Sequence, residues 1–148
     1  MQIKVKHGIY VNKSPADVFV YLSDHQKMPQ WQSTNTKIRG VTKAHPQHGR
    51  LQHGTKVQDS RNVLGQQIDG EWEVVAFDQD RNLGLRVSQG PVSWEMTYTL
   101  EPHESGTFLS AEGAGDLGNV PMSTDAANRS CQSLLEQDLR TLADILGK

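Results

Sequence analysis

From residue 2 to residue 12 apolar and polar side chains alternate. Ile3, Val5, His7, Ile9 and Val11 fall on one side, and Lys4, Lys6, Gly8 and Tyr10 mostly on the other. A period of two predicts a half-buried strand, with His7 the odd member of the buried set. Ser14-Pro15-Ala16-Asp17 then changes the period. Serine can cap free backbone N–H groups, proline suits the first helical position, and aspartate favours the positive end of a helix. Val18, Phe19 and Leu22 supply the apolar face of this short helix, which stops near Ser23-Asp24. Asp24 can cap a second short helix through Met28 to Trp31. Residues 35–43 predict a second strand. Residues 44–54, with Pro46, Gly49 and Gly54, predict a loop.

From Thr55 the chain reads as a meander of strands over 55–64, 66–77, 82–89, 92–101 and 107–116, punctuated by Leu64-Gly65, Asp78-Gln79-Asp80, Gln89-Gly90-Pro91 and Glu104-Ser105-Gly106. Tight hairpins can be tested for a consistent face. A final turn at Glu104-Ser105 sets Leu100 opposite Leu109, Tyr98 opposite Ala111, Met96 opposite Gly113 and Trp94 near Gly115, large against small. A turn at Gln89-Gly90 sets Val87 against Val92, Leu85 against Trp94 and Leu83 against Met96. A turn over Asp78 to Arg81 sets Trp72, Val74 and Ala76 beside Val87, Leu85 and Leu83. Three hairpins thus agree on one apolar face, with Asp69, Glu71, Glu73, Arg86, Ser93, Glu95, Thr97 and Thr99 on the other. A turn at Gly65-Gln66 sets Val63 against Ile68, Arg61 against Gly70, Asp59 against Trp72 and Val57 against Val74. Asp59 and Arg61 then face inward, and a slip of one residue would turn both out.

The last stretch, from about Met122 to Leu146, is the longest periodic segment. Ala127, Cys131, Leu134, Leu135, Leu139, Leu142, Ile145 and Leu146 form a wide stripe at helical spacing, and Asp138 falls inside its arc. The expected architecture is α+β: a curved antiparallel sheet of about seven strands holding a long C-terminal helix, with two short helices after the first strand.

The 148 residues suit a single domain, 1–148, with enough chain for a real core. A formal net charge of −2 gives no basic excess to suggest nucleic-acid affinity. No apolar run approaches the roughly 18 residues of a membrane helix, and the alternating start lacks a signal-peptide block. Cys131 is the one cysteine, so no internal disulfide is possible and a reducing, cytoplasmic setting is expected. On the buried helix face it reads as a packing residue rather than a nucleophile. His45, His48 and His53 cluster in sequence, but a glycine-rich loop with no nearby cysteine does not aim ligands, so no metal site is expected. Serine-elbow, phosphate-loop and dinucleotide signatures are absent.

The order of elements, together with Ile9-Tyr10-Val11-Asn12-Lys13-Ser14-Pro15-Ala16-Asp17-Val18-Phe19-Val20-Tyr21-Leu22-Ser23-Asp24 and Trp31, resembles the START/Bet v 1-like (SRPBCC) superfamily, and within it the polyketide cyclase/dehydrase and lipid-transport group. The matching positions are Pro15, Val18, Phe19, Asp24 and Trp31, then Gly54-Thr55, Gly106-Thr107 and the run Leu135 to Leu142. The resemblance covers essentially the whole chain and implies a helix-grip fold. The superfamily includes lipid and hormone carriers, aromatic cyclases, oxygenase subunits and chaperone co-factors, so the fold alone does not choose an activity.

A helix lying across a curved sheet leaves either a filled core or a ligand cavity. The expected lining is Trp31, Trp72, Leu85, Trp94, Met96 and Tyr98, with Leu135, Asp138 and Leu142 from the helix. His7, Asp59 and Arg61 are the weak candidate acid–base groups; a structural ion pair for Asp59 and Arg61, and a hydrogen-bonded structural histidine for His7, are the readings weighed ahead of catalysis. The first expectation is binding of a small apolar or amphipathic molecule, as a carrier or sensor. A cyclase/dehydrase-like enzyme needing no cofactor and a protein-interaction module are the alternatives. The 44–54 loop and the helices near Trp31 are the expected portal.

Overall fold

The computed structural model describes residues 1–42 and 51–147. The chain runs β1 (Gln2–Val11), α1 (Pro15–Leu22), a 3₁₀ turn (His25–Lys27), α2 (Met28–Trp31), β2 (Asn35–Thr42), β3 (Lys56–Val63), β4 (Gln66–Asp78), β5 (Asn82–Gln89), β6 (Ser93–His103), β7 (Gly106–Asp116) and α3 (Thr124–Leu146). The strands form one seven-stranded sheet in the order β1-β7-β6-β5-β4-β3-β2, with every neighbouring pair antiparallel. The first strand therefore closes against the last, and α3 lies along the sheet's inner face. Among the described residues no helix is long and apolar enough to cross a membrane.

The helix starts follow their local chemistry. Ser14 Oγ accepts from the Asp17 N–H at 3.2 Å, with Pro15 in the first helical turn. Helix α1 buries Val18, Phe19 and Leu22, and Phe19 meets Phe77 edge-on at 5.2 Å. Asp24 caps the 3₁₀ turn through the Gln26 N–H at 3.0 Å. Ser123 Oγ caps α3 through the Ala126 N–H at 3.1 Å, so the helix begins at Thr124 rather than Met122. Ala127, Leu135, Leu139 and Leu142 carry its buried stripe; Ile145, in the last turn, is exposed instead.

The outer edge of β1 is not left open. Lys4 N donates to Asn128 Oδ1 at 3.0 Å and Lys6 N to Gln132 Oε1 at 3.1 Å, while Gln132 Nε2 donates back to Lys6 O at 2.7 Å. Two amide side chains one helical turn apart thus satisfy the strand edge, shield it from further strand pairing and anchor α3 across the sheet.

The β6–β7 register is the expected one, from Leu100↔Leu109 to Trp94↔Gly115. Two other hairpins are shifted by two residues. At β5–β6, Leu83 pairs with Tyr98 and Leu85 with Met96. Pairing stops at Arg86↔Glu95 because the connection through Gly90 (φ +144) and Pro91, which has no N–H, is wider than a tight turn. At β3–β4 the turn is Leu64-Gly65 itself, with φ +51 and +83, the positive pair that a two-residue type I′ hairpin needs. Val57 then meets Trp72, Asp59 meets Gly70 and Arg61 meets Ile68. At β4–β5 the pairs Trp72↔Val87 and Val74↔Leu85 stand as expected, but a bulge moves Ala76 to Gly84 and Phe77 to Leu83. Even slips preserve the face, so Asp59 and Arg61 still point inward.

Candidate ligand-binding cavity

Between α3 and the inner face of the sheet lies a cavity of about 140 Å³. Its floor comes from β3 to β6, its roof from α3 and one flank from α2. Trp31 enters from α2, Trp72 from β4, Leu85 from β5, and Trp94, Met96 and Tyr98 from β6; Leu135 and Asp138 descend from α3. All three tryptophans of the chain therefore stand on this one lining. Trp31 meets Tyr98 edge-on at 5.9 Å. Gly113 makes room for the large β6 residues: a Cβ there would come within 2.8 Å of the Trp94 ring and 3.0 Å of Met96.

Two of the expected residues stand elsewhere. Leu142 is fully buried in the core, two helical turns beyond Leu135 on the same stripe and past the end of the cavity. His7 is half-buried on β1 opposite Ala111, two strands (roughly 10 Å) from Tyr98 in the same row, and the cavity does not extend to it. From the expected portal, Met28 and Trp31 do reach the lining, whereas His45 and His48 lie outside the described residues. His53 is exposed, and no metal-holding cluster of three or more such side chains occurs among the described residues. The lining also takes in Ile68, Gly90, Val92 and Leu117 at the ends of the hairpins, and Cys131 from α3. Burial pushes the Cys131 thiol up.

One side of the cavity is polar. Arg61 donates from Nε to Asp59 Oδ2 at 2.8 Å, from Nη1 to Thr34 Oγ1 at 3.1 Å and from Nη2 to Gln32 Oε1 at 2.8 Å. Its guanidinium lies 4.9 Å from the centre of the Trp72 ring. Burial lifts the Asp59 carboxyl above the usual carboxylate range, against the opposing pull of Arg61 and Trp72. Burial likewise lifts Asp138, opposed by the Ser33 N–H that donates to Oδ1 at 3.0 Å and by Arg61. The Tyr98 hydroxyl is pushed above its ordinary range by burial, and the neighbouring Asp138 reinforces the shift while Arg61 and Gln32 oppose it. The Trp31 indole N–H is buried and has no partner among the described residues. Gln32 and Thr34 were not visible as site residues: they follow α2 in an irregular stretch where no period exists to mark a face.

Among curated proteins none matches the chain. Solved structures share the fold at low identity. A START superfamily protein from Mycobacterium smegmatis is 15% identical over 97% of this chain and 96% of that chain, with a TM-score of 0.75. The Aha1 dimer from Colwellia psychrerythraea is 16% identical over 98% and 96%, at 0.68. Ginseng major latex-like protein 151 from Panax ginseng is 17% identical over 98% and 97%, at 0.65. The family model described as polyketide cyclase / dehydrase and lipid transport matches residues 2–147. That span leaves no strand of the sheet and no turn of the closing helix outside the match, and the chain belongs to this polyketide cyclase/dehydrase and lipid-transport family of the START/Bet v 1-like superfamily.

Proposed function

We propose that the protein binds a small apolar or amphipathic molecule between the sheet and α3, as a carrier or sensor. The observation that carries this reading is the cavity itself: mostly apolar walls, four aromatic side chains and a single polar side. Concave apolar sites with a few converging polar groups are the usual form of small-molecule sites. At about 140 Å³ the space is of the order of an apolar protein cavity that admits benzene. One ring fits without rearrangement; a longer molecule requires Met96 or the hairpin ends to move. Binding ranks above catalysis because His7 stands outside the cavity and Arg61 is already engaged by Asp59, Thr34 and Gln32.

Mass spectrometry of small molecules that co-purify with the native protein, followed by titration of an uncharged single-ring compound against tryptophan emission, tests the reading. The expected result is saturable change in emission that Leu135→Phe, which fills the cavity, abolishes. Unchanged emission with every apolar compound tried, in a folded protein, refutes it.

Acid–base chemistry of the cyclase/dehydrase kind is the second reading. One observation favours it: two carboxyls, the buried Asp59 and the half-buried Asp138, both lifted by desolvation, share the cavity with Tyr98. It requires Asp138→Asn to retain ligand uptake while product formation is lost.

A further inference from the structure

The cavity's charges bear on which polar group its ligand carries, an inference that rests on the binding reading above. Among the described residues the charged side chains on the lining are Asp59, Arg61 and Asp138. With both carboxyls ionised they sum to −1; with Asp138 protonated they sum to zero. Arg61 is the one cation of that described set, and each of its three guanidinium nitrogens already donates at 2.8 to 3.1 Å, to Asp59, Thr34 and Gln32. Asp59 faces it at 2.8 Å and cancels its charge. Three of the five Arg61 N–H bonds are thus engaged, and Asp59 holds the Nε–H of the side-on fork, so a ligand carboxylate either evicts Asp59 there or meets, on the other N–H groups, a charge that Asp59 already offsets. Evicting Asp59 would strand a buried carboxylate, since its side chain is only 3% exposed. Arg39 offers no substitute. It is exposed, and its Nη2 donates to the main-chain oxygens of Asp59 and Gly70, each at 3.2 Å.

For a positive or neutral group the balance is reversed. Asp138 accepts from the Ser33 N–H and makes no ion pair among the described residues. The aromatic walls add attraction for a cation over their faces. We propose that the cavity takes single-ring molecules whose polar group is a hydrogen-bond-donating hydroxyl or ammonium, and that it rejects carboxylates. The rejection is built into the Asp59–Arg61 pair, which neutralises in advance the one cation that the described lining offers an acid.

Benzyl alcohol, benzylamine and benzoate, a series matched in ring and size, test this when titrated into the full-length protein at neutral pH. Tryptophan emission and calorimetric heat are the readouts. The alcohol and the amine are expected to bind at least about tenfold more tightly than benzoate, the scale of effect of one like charge a few ångströms away in a partly open site. Asp138→Asn is expected to narrow the gap between amine and benzoate several-fold. Benzoate binding as tightly as the alcohol, or an unchanged amine–benzoate gap in Asp138→Asn, overturns the charge rule while the binding reading stands. Binding of none of the three overturns both. If Asp138→Asn does not fold, the order of affinities in the unaltered protein decides alone.

Discussion

Replacing Arg61 by methionine removes the guanidinium and keeps much of the side chain's volume. The Asp59 carboxyl is then left in a site where it is 3% exposed, and Thr34 and Gln32 each lose a donor. Removing one partner of a buried pair costs about 3–5 kcal/mol, because the remaining charge is uncompensated. Domains of this size are stable by only about 5–15 kcal/mol, so the loss is a large share of the total. The carboxyl has one escape, which is to take a proton. Burial already lifts its pKa with Arg61 opposing, so losing Arg61 lifts it further.

The sign of the pH dependence follows. A folded-state pKa above the unfolded value means that the folded protein holds the proton more tightly. Stability of Arg61→Met is therefore greatest below the carboxyl's unfolded value, and falls as pH rises through the lifted folded value. Urea unfolding followed by tryptophan emission reads the effect well, since all three indoles line the cavity beside the pair. The midpoint is expected to fall at unchanged slope, by more at pH 8 than at pH 5. The double variant Asp59→Leu/Arg61→Met, with no buried charge left at the pair, is expected to recover most of the loss. A loss in Arg61→Met below about 1 kcal/mol, equal losses at both pH values, or a double variant no better than the single one would refute a buried, mutually dependent pair.

Gly113→Ala introduces a Cβ within 2.8 Å of the Trp94 ring and 3.0 Å of Met96. Both side chains must move into the cavity, so ring-ligand affinity and Trp94 emission should change, with about 1–3 kcal/mol of destabilisation by urea unfolding. Gln132→Ala removes the acceptor for the Lys6 N–H and the donor to the Lys6 carbonyl. Hydrogen exchange at Lys6 should quicken, with a loss of about 1–2 kcal/mol for the two exposed bonds.

What could be read from the sequence, and what could not, divides along the period of each element. Alternation gave the inner face of every strand from β3 to β7, and that face survived two registers that were wrong by two residues, because a slip of two keeps the side. The exact partners depended on turn geometry: a positive-φ Leu64, which no propensity marks, and the wide Gly90-Pro91 connection. Periodicity also fixes a direction but not a depth. Leu135 and Leu142 share one stripe, yet only the first reaches the cavity; His7 shares a row with Tyr98, yet the cavity ends before it. Asp59, Arg61 and Asp138 were visible for the opposite reason: each interrupts an apolar period, and burying a charge is costly enough that an interruption calls for a partner. Gln32 and Thr34, which hold Arg61 in place, lie in an irregular segment with no period to interrupt. Polar residues can be found from sequence where they break a pattern, and the second half of this network stands where there is no pattern to break.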